Sequence, residues 1–300
     1  MTNRQKALVY IVLGSIIGGS LSAANKIGIR NIPPLGFVSA RVAVSALFLL
    51  PIMVKTRLWR VKNKLQLMLF SLLATANIGL FIVGLARTTA SMSSILYAAV
   101  PLLTAILSHW IYQEKITSRK LVGIIIGLVG TLVIVLTPAL SQNGFHTGSV
   151  SGNLIVFLAV VIYAFHTALS KKMQQRYSPF VIVEYFIITA TLTLTPFALW
   201  EMTQAGNWLT TVESSSIFTL LYVVVIGTIV LYFTFQEAIR FATPLIASLQ
   251  MYLVPVFGVI FASLLLGEKL SSELALGAFL VLVSIWLITG KPQPRPGKNP

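Results

Sequence analysis

Polar and aromatic side chains recur at middle depths of long apolar segments, where each polar group needs a partner. They are amides, phenols, an imidazole and a phenyl ring: Asn77, Phe81, Tyr97, Tyr163, His166, Tyr232, Gln236 and Gln250. Such groups tend to face the protein interior rather than lipid. We therefore take these eight residues as candidate ligands of a small solute. For each tyrosine, anchoring at the membrane surface or packing between helices is the alternative interpretation.

Two prolines lie near the middle of apolar segments, one in each half of the chain. Pro101 and Pro255 each remove one helical hydrogen bond and free the carbonyl four residues back, on Tyr97 and Met251. In lipid, a freed carbonyl must find a partner or line a cavity. We predict a kink at a substrate cavity, with the carbonyl as a ligand. A structural kink packed by neighbouring helices is the alternative.

Five charged residues are candidates for gating, coupling or substrate contact. Arg41 lies about seven residues into an apolar segment, where a charge costs several kcal/mol unless it finds a partner or reaches the membrane surface. It either snorkels to the outer surface or contacts a substrate carboxylate, which a guanidinium matches in shape. The pairs Glu114-Lys115 and Glu268-Lys269 end apolar segments. They are either gate pairs that break on opening, or ion pairs and helix caps at the membrane surface.

Several chemistries lack their residues. The chain has no Cys and no Asp, its three His are isolated, and it contains no Walker loop. We therefore predict no metal, no cofactor and no enzymatic activity. None of the seven Glu lies at mid-segment, so a carboxylate-driven proton antiporter has little support. His166 can exchange a proton near neutral pH, or it is simply a satisfied polar residue. A proton and a counter-solute both stay open as coupled partners.

Composition places the chain in a lipid bilayer. It is 56% hydrophobic and 10% charged, whereas soluble domains carry about 25% charged residues. The net charge of +15 resides in short loops, which favours a membrane protein over a nucleic-acid-binding one.

Ten apolar segments are long enough to span the bilayer, at 7–25, 35–54, 65–86, 88–113, 121–136, 153–170, 180–200, 216–236, 244–266 and 274–289. With the N-terminus inside, 17 Lys and Arg fall in inner segments and four in outer ones. We predict an integral protein of the cytoplasmic (inner) membrane with both termini cytoplasmic.

The chain contains one stretch twice. Residues 94–129 and 248–283 share ten of 36 positions, including a Pro, the Glu-Lys pair and a Gly in the same order. The repeating unit has five spans, and an odd number reverses its direction, so the second copy is inverted. We predict an all-α membrane protein of ten transmembrane helices in two inverted five-helix repeats. The units are 1–138 and 153–290, with an external linker at 139–152 and a disordered cytoplasmic tail at 291–300. Inverted repeats with a central site are typical of secondary transporters.

The repeated stretch resembles the EamA family of the drug/metabolite transporter superfamily. The first half carries Gly84–Ser91, Pro101-Leu102, Glu114-Lys115 and Gly123, and the second half carries 237–244, Pro255-Val256, 266–270 and Gly277-Ala278. The resemblance covers about residues 7–290. It implies a ten-helix carrier of small metabolites, often an exporter. In that family, spans 1, 3, 4, 6, 8 and 9 line the central cavity, which supports the polar and aromatic residues above as cavity lining.

These observations together predict a secondary transporter that works by alternating access. We expect it to move an amino acid or a similar small neutral or zwitterionic solute, in the direction of export. An exporter of nucleobase-like or drug-like compounds is the alternative. A membrane enzyme or a channel is less favoured, because clustered carboxylates and rings of like charge are absent. The oligomeric state, monomer or homodimer, is open.

Overall fold

The structure, a computed structural model, describes residues 1–88, 90–113, 116–141, 149–206, 208–266 and 272–289. Every regular element within these ranges is helical. The α-helices are α1 (Asn3–Gly28), α2 (Pro34–Lys55), α3 (Lys64–Arg87), α4 (Ala90–Tyr97), α5 (Val100–Tyr112), α6 (Ser118–Ser141), α7 (Val150–Met173), α8 (Pro179–Gln204), α9 (Ser214–Tyr222), α10 (Leu231–Phe241), α11 (Pro244–Ser248), α12 (Gln250–Leu266) and α13 (Ser272–Thr289). A π-helix, Val223–Val230, joins α9 to α10, and short 3₁₀ turns lie at Leu58–Arg60 and Trp208–Thr211.

The all-helical membrane fold predicted from composition is confirmed. Six helical stretches in the described part of the chain are long and apolar enough to cross a membrane: Pro34–Lys55, Lys64–Arg87, Ile95–Tyr112, Val150–Met173, Pro179–Gln204 and Ser214–Phe241. Large apolar side chains such as Leu47, Phe218 and Trp286 are mostly exposed on the bundle surface. Lipid rather than water is the solvent that such a surface fits.

Helix pairing follows the two halves of the sequence. Helix α2 packs on α8, its counterpart five spans later, and α6 packs on α13 in the same way. Helix α1 contacts α10 and α12, and its counterpart α7 contacts α3 and α5. Exchanging the two halves therefore leaves this pattern of contacts unchanged, and the two-repeat architecture fits the structure.

Close helix approach depends on glycine at the seams between the halves. A Cβ on Gly19 of α1 would lie 2.7 Å from the backbone nitrogen of Gly258 in α12. A Cβ on Gly127 of α6 would lie 2.4 Å from the ring of Tyr252. No side chain fits at either place, so these glycines let the helices meet at backbone distance.

Two connections and both ends of the helical region lie at the end of the bundle that carries the N-terminus, called here the N-terminal end. The Tyr177 hydroxyl donates to the Lys62 carbonyl at 3.0 Å, which joins the 55–64 and 171–178 connections. The Arg4 guanidinium donates to the Thr289 hydroxyl at 3.3 Å, which brings both ends of the helical region together. The positively charged connections predicted to share one membrane face thus lie at one end.

The helix breaks do not follow the prolines symmetrically. In the first half the break falls at Ala98 and Ala99, and Pro101 is the second residue of α5. In the second half the break falls at Leu249, and Pro255 lies inside α12. The second-half helix is interrupted six residues before Pro255, and the predicted kink at each proline stays a prediction.

Candidate functional site

A cavity of about 170 Å³ lies inside the bundle between helices of the two halves. Helices α1, α2, α3 and α4 of the first half and α7, α10 and α12 of the second half supply its wall. The lining residues are Gly18, Leu21, Asn25, Arg41, Asn77, Ile78, Phe81, Leu85, Ser93, Tyr97, Tyr163, Leu231, Tyr232, Phe235, Gln250, Met251, Val254 and Pro255. Most of this wall is apolar, and a few polar groups converge on it, as in small-molecule sites.

The structure brings most of the sequence-predicted residues to this cavity. Those that line it are Arg41, Asn77, Phe81, Tyr97, Tyr163, Tyr232, Gln250 and Pro255. Three others, Pro101, His166 and Gln236, lie elsewhere in the bundle. The predicted gate residues Glu114, Lys115, Glu268 and Lys269 lie outside the described residues.

Asn77 fixes the wall formed by α3, α4 and α7. Its side-chain nitrogen donates to the Tyr97 hydroxyl at 2.7 Å and to the Ala159 carbonyl at 2.9 Å. The Tyr97 ring meets Phe81 edge-on, with centroids 5.3 Å apart. One amide thus holds a phenol and a ring in fixed positions, and the wall is organised before any solute enters.

Aromatic rings from the second half adjoin this wall, where the Tyr163 ring lies 6.0 Å from the Tyr97 ring between centroids. Tyr163 of α7 stacks on Phe235 of α10, with centroids 5.5 Å apart. Tyr232 of α10, which also lines the cavity, stacks on Phe186 of α8 with ring centroids 4.4 Å apart. Phe186 itself is not a lining residue. Flat apolar faces with hydroxyl groups at their edges suit a solute that has an apolar part and polar ends.

Arg41 of α2 is held inside the bundle by the second half of the chain. Its side chain is buried, and its Nε donates to the Thr228 hydroxyl and its Nη2 to the Gly227 carbonyl, both at 2.6 Å. These acceptors belong to the π-helix, where Thr228 also donates to the carbonyl of Val223, five residues back. A π-turn displaces backbone groups from the regular ladder, and such turns often mark functional sites.

Two amides on the cavity have oxygen atoms with no hydrogen-bond partner in the described part of the chain. They are Asn25 Oδ1 on α1 and Gln250 Oε1 on α12, and both residues are buried. Gln250 Oε1 is pressed against Gly14, where a Cβ would lie 2.4 Å away. A buried acceptor without a donor is costly, so a bound solute with N–H groups would relieve that cost.

The sequence prediction missed Asn25 because it lies next to Lys26, at the edge of the first apolar segment. A signal for it is present nonetheless. Gly18, Leu21 and Asn25 all line the cavity, and their spacing of three and four residues places them on one face of α1.

The predicted residues away from the cavity lie nearer the N-terminal end. His166 stacks on Phe70 at 4.7 Å between centroids, and its Nδ1 has no partner within the described ranges. Gln236 accepts a hydrogen bond from Gln174 at 2.8 Å and donates to Ser170 at 3.2 Å. Pro101 is buried at the start of α5.

Hydrogen bonds between α7 and the end of α10 close the bundle on that side. The Lys171 ammonium donates to the carbonyls of Ile239 and Arg240 at 3.0 Å and of Ala242 at 2.9 Å. Tyr10 of α1 stacks on Phe241 at 5.9 Å between centroids. We call these contacts the N-terminal lock. The cavity lies beyond the lock, from the middle of the helices toward the opposite end.

Among the described residues, no group of three or more His, Cys, Asp or Glu is placed to hold a metal ion. The groups that line the cavity are one guanidinium, amides, phenols and aromatic faces, which can bind a solute reversibly.

Comparison with known proteins matches nearly the whole chain. The model of the EamA-like transporter family matches residues 5–136 and again residues 150–290. A "Probable amino-acid metabolite efflux pump" of Salmonella typhimurium strain LT2 is 26% identical over 300 residues, covering 96% of this chain and 95% of the relative. The protein of the same name from Escherichia coli K12 is 26% identical over 307 residues, covering 96% and 95%.

Two further matches cover a similar share of the chain. The "Uncharacterized transporter YoaV" of Bacillus subtilis strain 168 is 25% identical over 292 residues, covering 95% of this chain and 97% of the relative. One solved crystal structure superimposes with a TM-score of 0.76 at 14% identity, covering 94% of this chain and 96% of that one. At that identity the likeness shows a shared fold.

Proposed function

Because the chain belongs to the EamA-like transporter family, we propose that it is a secondary transporter that carries a small metabolite across the membrane by alternating access. The names of its relatives likewise indicate a membrane transporter rather than an enzyme. The single observation that carries the mechanism is the cavity, which is walled by helices of both halves. A site between two halves can face either side when one half rocks against the other.

The N-terminal lock supports this mechanism. On one side of the cavity it joins α1 of the first half to α10 of the second half through Tyr10 and Phe241, and it ties α7 to α10 within the second half through Lys171. In alternating access, such contacts exist in one state and break in the other. We propose that breaking the lock opens the cavity toward the N-terminal end.

We propose the membrane arrangement on a separate ground, the excess of Lys and Arg in the inner segments. It has ten spans in two inverted units, 1–138 and 153–290, with an external linker at 139–152, a tail at 291–300 and both termini in the cytoplasm. The membrane is the cytoplasmic (inner) membrane. The state with a formed lock is closed to the cytoplasm, and its cavity lies on the external side of the lock.

We propose an amino acid or a similar small neutral or zwitterionic solute as the cargo, moved in the direction of export. The apolar wall with convergent amides and phenols fits a compact solute with polar ends. Two relatives carry names that refer to amino-acid metabolite efflux. The flat aromatic faces of Tyr163 and Phe235 are the observation that favours a nucleobase-like or drug-like solute as the alternative.

Flux into liposomes that contain the purified protein tests the proposal. We expect saturable uptake of a radiolabelled solute from an amino-acid and nucleobase panel, and accelerated uptake when the vesicles are preloaded with the same solute. Repeating the assay with an imposed pH gradient distinguishes proton coupling from solute exchange. Flux that never saturates, with single-channel currents, would instead identify a channel.

A further inference from the structure

We propose that the cavity binds a zwitterion, with its carboxylate on Arg41 and its ammonium group on the side-chain oxygen of Asn25. The proposal deepens the transport function proposed above and rests on it. It assigns two ligands of opposite polarity to one small cavity and names the solute class as free amino acids.

Arg41 carries a buried positive charge without a carboxylate partner in the described part of the chain. Its side chain is 5% exposed, and no Asp or Glu of the described residues lies within ion-pair distance of it. Its two protein acceptors, the Gly227 carbonyl and the Thr228 hydroxyl, are neutral. Leaving an uncompensated charge in a buried site is costly, and an anion in the cavity supplies the missing partner.

The hydrogen bonds of Arg41 leave one edge of the guanidinium for a ligand. The protein uses Nε and Nη2, which together form the side-on edge. Nη1 donates to no group within the described ranges, and Nη2 has a second hydrogen. These two nitrogens form the end-on edge, which binds a carboxylate through two parallel hydrogen bonds.

The π-helix holds this cation in place. Gly227 and Thr228 fix two guanidinium nitrogens, and Ser45, one turn along α2, donates to the Val224 carbonyl at 3.2 Å. Helix α2 is thus bonded to the π-helix at two successive turns. A guanidinium held this firmly loses little further freedom when a carboxylate binds.

Asn25 lines the same cavity as Arg41 and provides the second ligand. Gly227, whose carbonyl accepts from Arg41, packs against Leu21, where an added Cβ would lie 2.7 Å from the leucine Cδ2. Asn25 follows Leu21 by one turn on the same face of α1, a rise of about 6 Å. Its buried Oδ1 lacks a donor among the described residues, and an ammonium group is a donor only.

This arrangement selects against the other candidate solutes. A neutral nucleobase leaves Arg41 without an anion, and a cationic drug meets it as a like charge. An amino acid satisfies both groups, and its side chain then lies against the aromatic wall of Phe81 and Tyr97. The competing possibility is that Arg41 only ties α2 to the π-helix and never touches solute.

Thermal shift of the detergent-solubilised protein tests the assignment with matched compounds. The panel contains L-amino acids from glycine to tryptophan, the amide of each, the corresponding acids without the amino group, and adenine and uracil. Ligands that bind the folded state raise its melting temperature. We expect stabilisation by one or more amino acids, with binding of the matched amide weaker by about tenfold or more.

Variants separate binding from folding. Arg41→Gln should lose the preference for the acid over its amide, and Asn25→Leu should lose the preference for the amino acid over the deaminated acid. Arg30→Gln removes a charge from an exposed residue and should leave both preferences unchanged. The comparison of acid with amide on the unaltered protein needs no variant, so it decides the question even if Arg41→Gln fails to fold.

Each other result overturns the assignment. Equal binding of acids and amides, stabilisation by adenine or uracil alone, or no stabilisation by any carboxylate would show that Arg41 does not bind a carboxylate. Saturable flux of a nucleobase alongside such a result would leave the transport function intact. If the unaltered protein gives no saturable flux for any compound of the panel, that result would contradict the proposed transport function itself.

Discussion

The Nη2 nitrogen of Arg41 donates to the backbone carbonyl of Gly227 at 2.6 Å. The bond joins α2 of the first half to the π-helix of the second half, so this buried contact connects the two halves at the cavity wall. The carbonyl belongs to a segment where the helical ladder departs from the regular α-helical pattern.

Thr228→Val tests the neighbouring bond between Arg41 and the π-helix. The substitution keeps the branched shape but removes the hydroxyl that accepts from Arg41 Nε at 2.6 Å. A hydrogen bond to a charged group is worth about 1.5–3 kcal/mol, so we expect unfolding stability to fall by that amount. Thr228→Ser keeps the hydroxyl and is the matched control. Thermal unfolding in detergent measures both, and equal melting temperatures for the two variants would contradict the expectation.

Asn77→Leu should weaken solute binding more than Tyr97→Phe. The leucine leaves the Tyr97 hydroxyl and the Ala159 carbonyl without their shared donor, whereas Tyr97→Phe leaves the amide bonded to Ala159. We expect the half-saturating solute concentration for flux to rise about tenfold for Asn77→Leu and less for Tyr97→Phe. The reverse order would mean that the phenol, and not the amide, organises this wall.

Glu184→Leu should stabilise the protein. Glu184 of α8 is fully buried, and both its carboxyl oxygens lack partners among the described residues. Burying an unpaired polar group costs about 1–3 kcal/mol, and leucine of similar volume removes that cost. Thermal unfolding shows whether the free energy of unfolding rises or falls. Glu213→Leu at an exposed site is the control, and we expect its free energy of unfolding to change by no more than about 0.5 kcal/mol. A lower melting temperature for Glu184→Leu would point to an essential partner of this carboxyl group.

Much of the site could be predicted from the sequence, because a polar side chain within a membrane span must face the protein interior or reach the membrane surface. Asn77, Tyr97 and Gln250 stand out in apolar segments, and the structure places all three on the cavity. Their role as substrate ligands stays a prediction. Asn25 escaped notice because a neighbouring charge marked the end of its segment, and depth in the bundle depends on helix tilt and packing.

Other features could not be read from local sequence at all. The π-helix at Val223–Val230 is bonded to Arg41 of α2, a residue distant in the chain, so the local sequence does not encode this contact. The helix break at Leu249, six residues before Pro255, also has no Gly or Pro next to it to mark it in the sequence. Helix type and order follow from apolar segment length, whereas these two irregularities could not be predicted from it.

The N-terminal lock depends on Lys171, which donates to three carbonyls at the end of α10. Lys171→Met removes these bonds and should shift the protein toward the state open at the N-terminal end. Lys172→Met changes the exposed neighbouring lysine and is the matched control. The chain has no native Cys, so single cysteines can report which side is open.

The most direct measurement of alternating access is maleimide labelling of two such cysteines, Ser93→Cys on the cavity and Ser170→Cys beneath the lock. Alternating access predicts that Lys171→Met raises the labelling rate at position 170 by about tenfold and lowers the rate at position 93, while Lys172→Met changes neither. Labelling that rises at both positions together, or at neither, would contradict a cavity that opens to one side at a time.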